Sequence, residues 1–310
     1  MTRKNWKIAT ILALCTAVIS GVSNFVNKIA VTTINNPLLF TVLKNTLVAA
    51  ALIGLIILFK KWRELAGLNK KQWLKLILVG IVGGSLPFAL FFTGLAQTSA
   101  ISAALIHKTL FFWVLLLAVP LLKERLTLPQ IFGVAAIFLA NILVGGFKGF
   151  AFNVGELMIL AATLLWAVEQ IIAKRALANV SSLTLAGARM AIGSVVLMPF
   201  AIFSGGSFSA ISSLSLTQWF WIIIACLLLA AYVLTWYAAL MRAPAIYVAA
   251  LLVPATLVTN VLSAIFLTHS FNWQLLGSSG LFVFGVAFMV WGAKRLKSDF
   301  LPIEAEKIKI

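Results

Sequence analysis

The sequence predicts an all-α integral membrane protein with ten transmembrane helices, arranged as two inverted five-helix repeats. The chain is 63% hydrophobic and only 10% charged, whereas soluble globular chains carry about 25% charged residues. Its apolar runs are about 20 residues long, which is the length that a helix needs to cross a hydrocarbon layer of about 30 Å. Features of the first half also recur about 145 residues later, as when Lys44 is matched by Arg189. The apolar runs predict the class, and the recurrence predicts the repeat.

Each predicted span is an apolar run bounded by polar or charged residues. Helices are predicted rather than barrel strands, because a membrane strand needs only about 10 residues and because a helix satisfies its own backbone hydrogen bonds in lipid. The first run resembles a signal peptide, but it lacks a small-residue cleavage site and continues to about Val26, so a retained span is predicted. The limits are 8–27, 38–59, 74–96, 101–122, 128–147, 155–173, 182–203, 219–240, 246–267 and 273–293.

The distribution of basic residues predicts the orientation. The net charge of +17 comes from Lys and Arg residues between the apolar runs and not from a basic stripe interleaved with aromatic residues, so no nucleic-acid partner is expected. Nearly all of them fall on the side that holds both termini, and only Lys28 and Lys148 fall on the other side. Because cytoplasmic loops carry the excess of Lys and Arg, we predict a multi-pass protein of the cell (inner) membrane with both termini in the cytoplasm.

The repeat divides the chain into two halves. Residues 1–150 form the first five-helix repeat, residues 151–297 form the second, and residues 298–310 form a cytoplasmic tail. Because five is an odd number, the second copy enters the membrane from the opposite face. Inverted repeats of this kind allow many secondary carriers to expose a central site to each side in turn.

A turn of small residues stands between the third and fourth spans of each copy, at Leu95–Ala100 and at Leu240–Ala245. With ten spans in two copies, the chain resembles the drug/metabolite transporter superfamily, EamA-type. Glu124 matches the acid that commonly ends the fourth helix of this family, and Pro254 matches its mid-helix proline. The resemblance implies a carrier, often an exporter, of small metabolites. The departures from the family pattern are Thr109 in place of the first proline and His269 in place of the second acid.

Ionisable side chains inside the predicted spans mark the candidate site, because each costs about 2.5–3.5 kcal/mol at membrane depth. Several of them are cations, so we predict an anionic or zwitterionic substrate, with amino acids favoured and with Lys108 and Lys44 meeting its acidic group. Structural alternatives stay open: ties to helix-end carbonyls, a core histidine, an interfacial ion pair, or aromatic packing between helices. The candidate substrate-binding residues are Lys108, His107, Lys44, Arg189, Tyr232, Trp236 and Phe92, and the candidate for proton or ion coupling is Glu169.

The predicted function is secondary-active transport, with export favoured, by alternating access around a site between spans 3, 4, 8 and 9 and the cations of spans 2 and 7. The sequence shows no nucleotide-binding loop, hydrolase motif or carboxylate cluster, so no enzyme activity, cofactor or metal is expected. A flippase for a lipid-linked or phosphate-bearing intermediate is the main alternative, and a membrane-embedded transferase and a passive channel are others. The expected partners are a small-molecule substrate and membrane lipid, with a homodimer left open.

Overall fold

A computed structural model describes residues 3–34, 36–95, 97–98, 106–144, 153–203, 211–269 and 277–292. Within these ranges the regular structure is entirely helical, because each long run of apolar residues is compatible with a continuous helix. The helices are α1 (Arg3–Ile34), α2 (Pro37–Leu58), α3 (Trp62–Ala66), α4 (Lys70–Gly84), α5 (Leu86–Leu95), α6 (Leu110–Leu122), α7 (Leu128–Val144), α8 (Val154–Ala176), α9 (Ser182–Phe203), α10 (Leu216–Arg242), α11 (Ala245–Leu252), α12 (Ala255–Ser263) and α13 (Gly277–Gly292).

The helices confirm the predicted membrane class. Among the described residues, seven helices are long and apolar enough to cross a membrane, and three shorter apolar helices cover 106–122, 128–140 and 277–292. These ten stretches coincide with the ten predicted spans, which keep their numbers below. Span 3 is α4 with α5, and span 9 is α11 with α12.

The structure differs from the predicted spans in two places. Span 1 begins at Arg3 and continues to Ile34, so the backbone of Lys28 is helical rather than part of a loop. The basic connection between spans 2 and 3 contains the short helix α3. The predicted tail, 298–310, lies outside the described residues.

Polar residues start several spans by capping their first amides. Asn36 Oδ1 accepts a 3.0 Å hydrogen bond from the N–H of Leu39, and Pro37 follows as the first residue of α2. Asn69 with Gln72, and Ser215 with Gln218, each form a reciprocal capping box. An Asn or Ser followed three residues later by Gln, just before an apolar run, is a signal that can be read from sequence.

Spans 3 and 9 are interrupted at prolines. α4 ends at Gly84 and α5 starts at Leu86, next to Pro87. In span 9, α11 ends at Leu252, and α12 begins after Pro254. A proline inside a helix removes one N–H and leaves the carbonyl four residues earlier without its usual donor. The carbonyls in question belong to Gly83 in span 3 and Ala250 in span 9.

The spans of the two halves pack against each other in a symmetric pattern. Span 1 packs against spans 8 and 9, and the equivalent span 6 packs against spans 3 and 4. Span 2 contacts spans 7 and 8, while span 7 contacts spans 2 and 3. Spans 5 and 10 approach closely where Gly133 and Gly285 meet, since a Cβ at Gly133 would lie 2.7 Å from the Gly285 carbonyl oxygen. The interior therefore lies between the halves rather than within either one.

Candidate functional site

The break in span 3 frees a backbone carbonyl that two side chains of the second half bind. Because Pro87 has no N–H, the Gly83 carbonyl lacks its usual donor within the helix. It accepts hydrogen bonds instead from Trp166 Nε1 at 3.1 Å and from Arg189 Nη2 at 3.0 Å. The proline that interrupts span 3 thus creates the acceptor that anchors spans 6 and 7.

Arg189 and Glu169 form the charged centre of this cluster. Both side chains are nearly inaccessible, with exposed fractions of 6% and 2%. The Glu169 carboxylate accepts a 2.5 Å hydrogen bond from the Tyr237 hydroxyl and lies within electrostatic range of Arg189. Arg189 Nε and Gln170 Oε1 have no hydrogen-bond partner among the described residues. The centre therefore balances one positive charge with one negative charge and retains one unused donor, the Nε of Arg189.

Aromatic rings cover one side of this charged centre. Trp166 lies 5.5 Å from Phe88, 5.7 Å from Phe91 and 4.8 Å from His107, measured between ring centroids. Arg189 Cζ lies 6.0 Å from the Phe88 centroid, within the range of a cation–π contact. His107 therefore faces spans 3 and 6, and its Nδ1 is buried without a described hydrogen-bond partner.

Tyr232 and Trp236 share a face of span 8, as their spacing of one helical turn predicts. Their rings are stacked, with centroids 6.2 Å apart and an interplanar angle of 6°. Tyr232 lies within electrostatic range of Arg189, which places it beside the same charged centre. The side chain of Phe92, the remaining aromatic candidate, lies outside the described residues.

Lys44 occupies a second polar cluster, between spans 1, 2 and 8. Its exposed fraction is 4%, its ammonium group donates a 3.4 Å hydrogen bond to Asn27 Oδ1, and it lies 4.7 Å from the ring centroid of Phe40. Asn45 is fully buried beside it, and neither atom of its amide has a described hydrogen-bond partner. Cys226 of span 8 contacts the Lys44 carbonyl. No described carboxylate balances the Lys44 charge.

Lys108 faces a different recess, between spans 4, 5 and 9. The recess is lined by Phe111 and by residues of spans 5 and 9, including Val134 and Val253. Although His107 is its neighbour in sequence, successive residues of a helix point about 100° apart, and the two side chains face different spans. Lys108 thus faces spans 5 and 9, whereas Lys44 lies among spans 1, 2 and 8.

A set of contacts at the predicted cytoplasmic end ties the turn between spans 8 and 9 to spans 4 and 6. The Glu124 carboxylate accepts hydrogen bonds from the N–H groups of Ala245 at 2.6 Å and Ile246 at 3.0 Å. Lys174 Nζ donates to the carbonyls of Leu240 at 2.6 Å and Ala243 at 2.7 Å. Burial raises the pKa of Glu124, and the two N–H donors and Lys174 oppose that rise. We call these four hydrogen bonds the latch.

The latch changes the expected equivalence between Glu124 and His269. Lys123 and His269 both adopt a left-handed backbone at the end of their spans, with φ values of 56° and 48°. A π turn at Ala264–Thr268 precedes His269, and such a turn accommodates an extra residue. His269 is therefore the counterpart of Lys123, and the counterpart of Glu124 falls at Ser270, outside the described residues.

Glu64 makes a similar connection between α3 and span 7. Its carboxylate accepts hydrogen bonds from Ser181 N at 2.5 Å, Ser181 Oγ at 2.8 Å and Thr184 Oγ1 at 2.7 Å. Burial would raise the pKa of Glu64, but these hydrogen bonds and the nearby charge of Lys61 outweigh it, so the pKa lies below its ordinary value. The basic connection after span 2 thus caps the start of span 7.

The two halves of the chain match the same family model, that of the EamA-like transporter family, at residues 7–146 and 153–291. The chain belongs to the EamA-like transporter family. Each match covers one set of five spans, so this EamA-like protein contains two copies of the family unit. Membership confirms the resemblance drawn from the turns before the fourth spans and from Glu124, and it supports a multi-pass membrane protein.

Similar proteins agree with this assignment of the EamA-like chain. It is 28% identical over 177 residues to the uncharacterized transporter YyaM of Bacillus subtilis, covering 55% of this chain and 57% of that protein. It is 24% identical over 152 residues to an uncharacterized transporter of Methanothermobacter thermautotrophicus, covering 47% and 44%. The chain thus spans about half the length of the curated relatives that it matches. A protein of known crystal structure shares the fold, with a TM-score of 0.76 at 19% identity over 95% of this chain and 99% of that one.

Sequence reasoning missed several residues that organise the site. Tyr237, which holds Glu169, has no local sequence signal, because its partner is 68 residues away. The Gly83 carbonyl could have been found, since a proline four residues after any helical position removes the donor for its carbonyl. Lys174 has no local signal for its role either, because the carbonyls that it binds lie 66 and 69 residues away.

Proposed function

We propose that this EamA-like transporter is a secondary-active carrier of small anionic or zwitterionic metabolites, with amino acids favoured, that exports them by alternating access. The observation that carries the proposal is the pair Lys44 and Arg189. They are buried cations at equivalent positions of the two copies, and only one described carboxylate, Glu169, lies near either of them. A substrate carboxylate would supply the missing negative charge.

The symmetric packing of the spans supports the proposed mechanism. If the two copies lie in opposite orientations, then Lys44 and Arg189 stand at similar depths from opposite faces of the membrane. Each follows the start of its span by seven residues, which is a rise of roughly 10 Å. Two halves that pack through equivalent pairs of spans can rock about the space between these cations and open it to each side in turn.

Glu169 is the proposed coupling residue. It is a buried carboxyl inside a span, held by the Tyr237 hydroxyl and close to Arg189. Binding of a substrate anion near Arg189 would compete with Glu169 for the same positive charge. Protonation of Glu169 would relieve that competition, which links the movement of a proton to the movement of substrate.

A thermal-shift screen of the purified protein tests the substrate class. Aspartate, leucine and arginine, which differ in net charge, are compared for wild type, Lys44→Met and Lys44→Arg. We expect a carboxylate-dependent rise in the melting temperature of wild type that Lys44→Met loses and Lys44→Arg largely keeps. Equal shifts for Lys44→Met and wild type would contradict the proposed role of Lys44.

Orientation and mechanism need separate measurements. Impermeant labelling of cysteines introduced at the two ends of the chain should find both ends on the cytoplasmic side. Labelling on opposite faces would rule out an even number of spans. In liposomes loaded with an amino acid that shifts the melting temperature, saturable counterflow of the same amino acid should follow.

The second candidate function is a flippase for a lipid-linked or phosphate-bearing intermediate. The observation that favours it is Lys108, a cation in a recess next to an apolar groove between spans 4 and 5. Translocation of a labelled lipid headgroup by the reconstituted protein, without counterflow of any soluble metabolite, would favour the flippase over the carrier.

A further inference from the structure

The groove between spans 4 and 5 is lined by apolar residues and lies next to the recess of Lys108. Phe112 and Leu115 of span 4 and Ala135 and Leu139 of span 5 are among its walls. Its volume is about 390 Å³, and the groove and the recess share Phe111, Val134 and Phe138. Leu139 is 49% exposed, so the groove opens on the outside of the helix bundle, where the acyl chains of the bilayer lie.

Lys108 is an unbalanced cation in the recess next to this groove. Within the described part of the chain, no carboxylate or hydrogen-bond acceptor contacts its ammonium group. The equivalent position in the second copy is Val253, which lines the same recess. Because the fold accepts valine at that position in one copy, it does not require a lysine in the other. A cation that costs about 2.5–3.5 kcal/mol at membrane depth and is not needed by the fold indicates a ligand.

The depth of Lys108 suits the acidic head of a lipid. Between Lys108 and Leu122 the helix rises roughly 21 Å. If Leu122 marks the cytoplasmic face of a ~30 Å hydrocarbon layer, Lys108 lies roughly 10 Å from the opposite face. The groove runs from that level along Phe112 and Leu115 toward the middle of the bilayer. An acyl chain takes the same course when its acidic head reaches below that face to Lys108.

We propose that Lys108 and the groove between spans 4 and 5 form a binding site for an acidic membrane lipid, with the acid on the lysine ammonium and an acyl chain along Phe112, Leu115, Ala135 and Leu139. The apolar walls complement the chain, and the unbalanced charge selects an anionic head over a zwitterionic one. This site is separate from the cluster of Lys44 and from the cluster of Arg189 and Glu169, and it stands whether the carrier or the flippase describes the function.

Native mass spectrometry of the full-length protein tests the site. Protein is released from nanodiscs that contain equal amounts of phosphatidylglycerol and phosphatidylcholine, and the retained lipids are counted. We expect wild type to retain phosphatidylglycerol preferentially. Lys108→Met should weaken that preference about tenfold, since a hydrogen-bonded charge pair is lost. Lys44→Met, which removes another lysine that no described carboxylate balances, is the matched control and should keep the preference.

A second variant and a competition measurement test the site independently of Lys108→Met. Ala135→Phe fills the groove while Lys108 stays, and it should lower retention of phosphatidylglycerol even if Lys108→Met folds poorly. Oleate added to wild type should displace phosphatidylglycerol if the site also accepts a carboxylate head on an acyl chain. Equal retention of the two phospholipids by wild type, or an unchanged preference in Lys108→Met, would overturn the proposal. The amino-acid thermal shift reports on Lys44, so either proposal can fail without the other.

Discussion

The latch predicts that a single side chain, Glu124, keeps the turn between spans 8 and 9 closed. Span 9 begins after Pro244, which makes no side-chain cap, so the first amides of α11 depend on an acceptor from elsewhere. Glu124 supplies it from the end of span 4, with one carboxylate oxygen on Ala245 N and the other on Ile246 N. In Glu124→Gln, one of these oxygens becomes an NH₂ group that faces an N–H donor.

The size of the effect follows from these contacts. A hydrogen bond to a charged group contributes about 1.5–3 kcal/mol, and a negative charge at a helix start adds about 0.3–1 kcal/mol. Glu124→Gln loses one bond outright, makes the other neutral and removes the charge. Because Glu124 is only partly buried, solvent reduces these values, and we expect a net loss of about 2 kcal/mol. That loss corresponds to about a 30-fold shift toward the open turn.

The opening can be measured by cysteine labelling. Ala243 is fully buried at the turn, so Ala243→Cys, in a background without Cys15 and Cys226, should react slowly with an impermeant maleimide. Glu124→Gln should raise the rate about 30-fold, the shift estimated above, and Lys174→Met should act similarly. The control is Arg242→Gln, because among the described residues the Arg242 guanidinium hydrogen-bonds only to the Ala238 carbonyl of its own helix. An unchanged rate in Glu124→Gln, or an equal rise in Arg242→Gln, would refute the reasoning.

Three other substitutions test the site and its supports. Gly83→Ala should lower the melting temperature and reduce the free energy of unfolding by about 1–3 kcal/mol, because a Cβ there would meet the Glu169 side chain and lie 3.1 Å from Arg189 Nε. The control is Gly54→Ala, which should have no such effect because nothing lies within 4 Å of a Cβ at that position. Tyr237→Phe should destabilise the protein by about 1–3 kcal/mol and alter the pH dependence of transport, since Glu169 loses its donor; a mutant whose stability matches wild type would contradict this role. The pKa of Glu64 lies below its ordinary value of 4.5, so its contribution to stability is present above that pH and is lost as the pH falls through the lower, folded value. Glu64→Gln should cost about 1 kcal/mol at neutral pH and flatten the acid limb of a stability–pH curve, and a curve parallel to wild type would count against it.

Helix class and the positions of the spans follow from local properties of the sequence. The length of each apolar run decides whether a helix can cross the bilayer. The ten stretches were predicted to within a few residues, except that span 1 is longer at both ends and that α3 in the connection after span 2 was not predicted. The breaks of spans 3 and 9 can also be predicted locally, because a proline removes one N–H and interrupts the helix within a single turn. The recurrence of Lys44 as Arg189 was also visible, since a repeat leaves a record in the order of residues.

The partners of each polar side chain were decided by tertiary structure alone. Lys108 and His107 are adjacent in sequence, yet they face different spans, because the rotation of span 4 against its neighbours sets their directions. Glu124 was expected only as a family mark, and its role as the cap of span 9 depends on a chain segment 121 residues away. Hydropathy is a property of one apolar run at a time, and it is enough to indicate that the helix lies in the membrane. Which face of the helix meets which neighbour depends on packing between spans, and that packing determines where the charges of this protein come together.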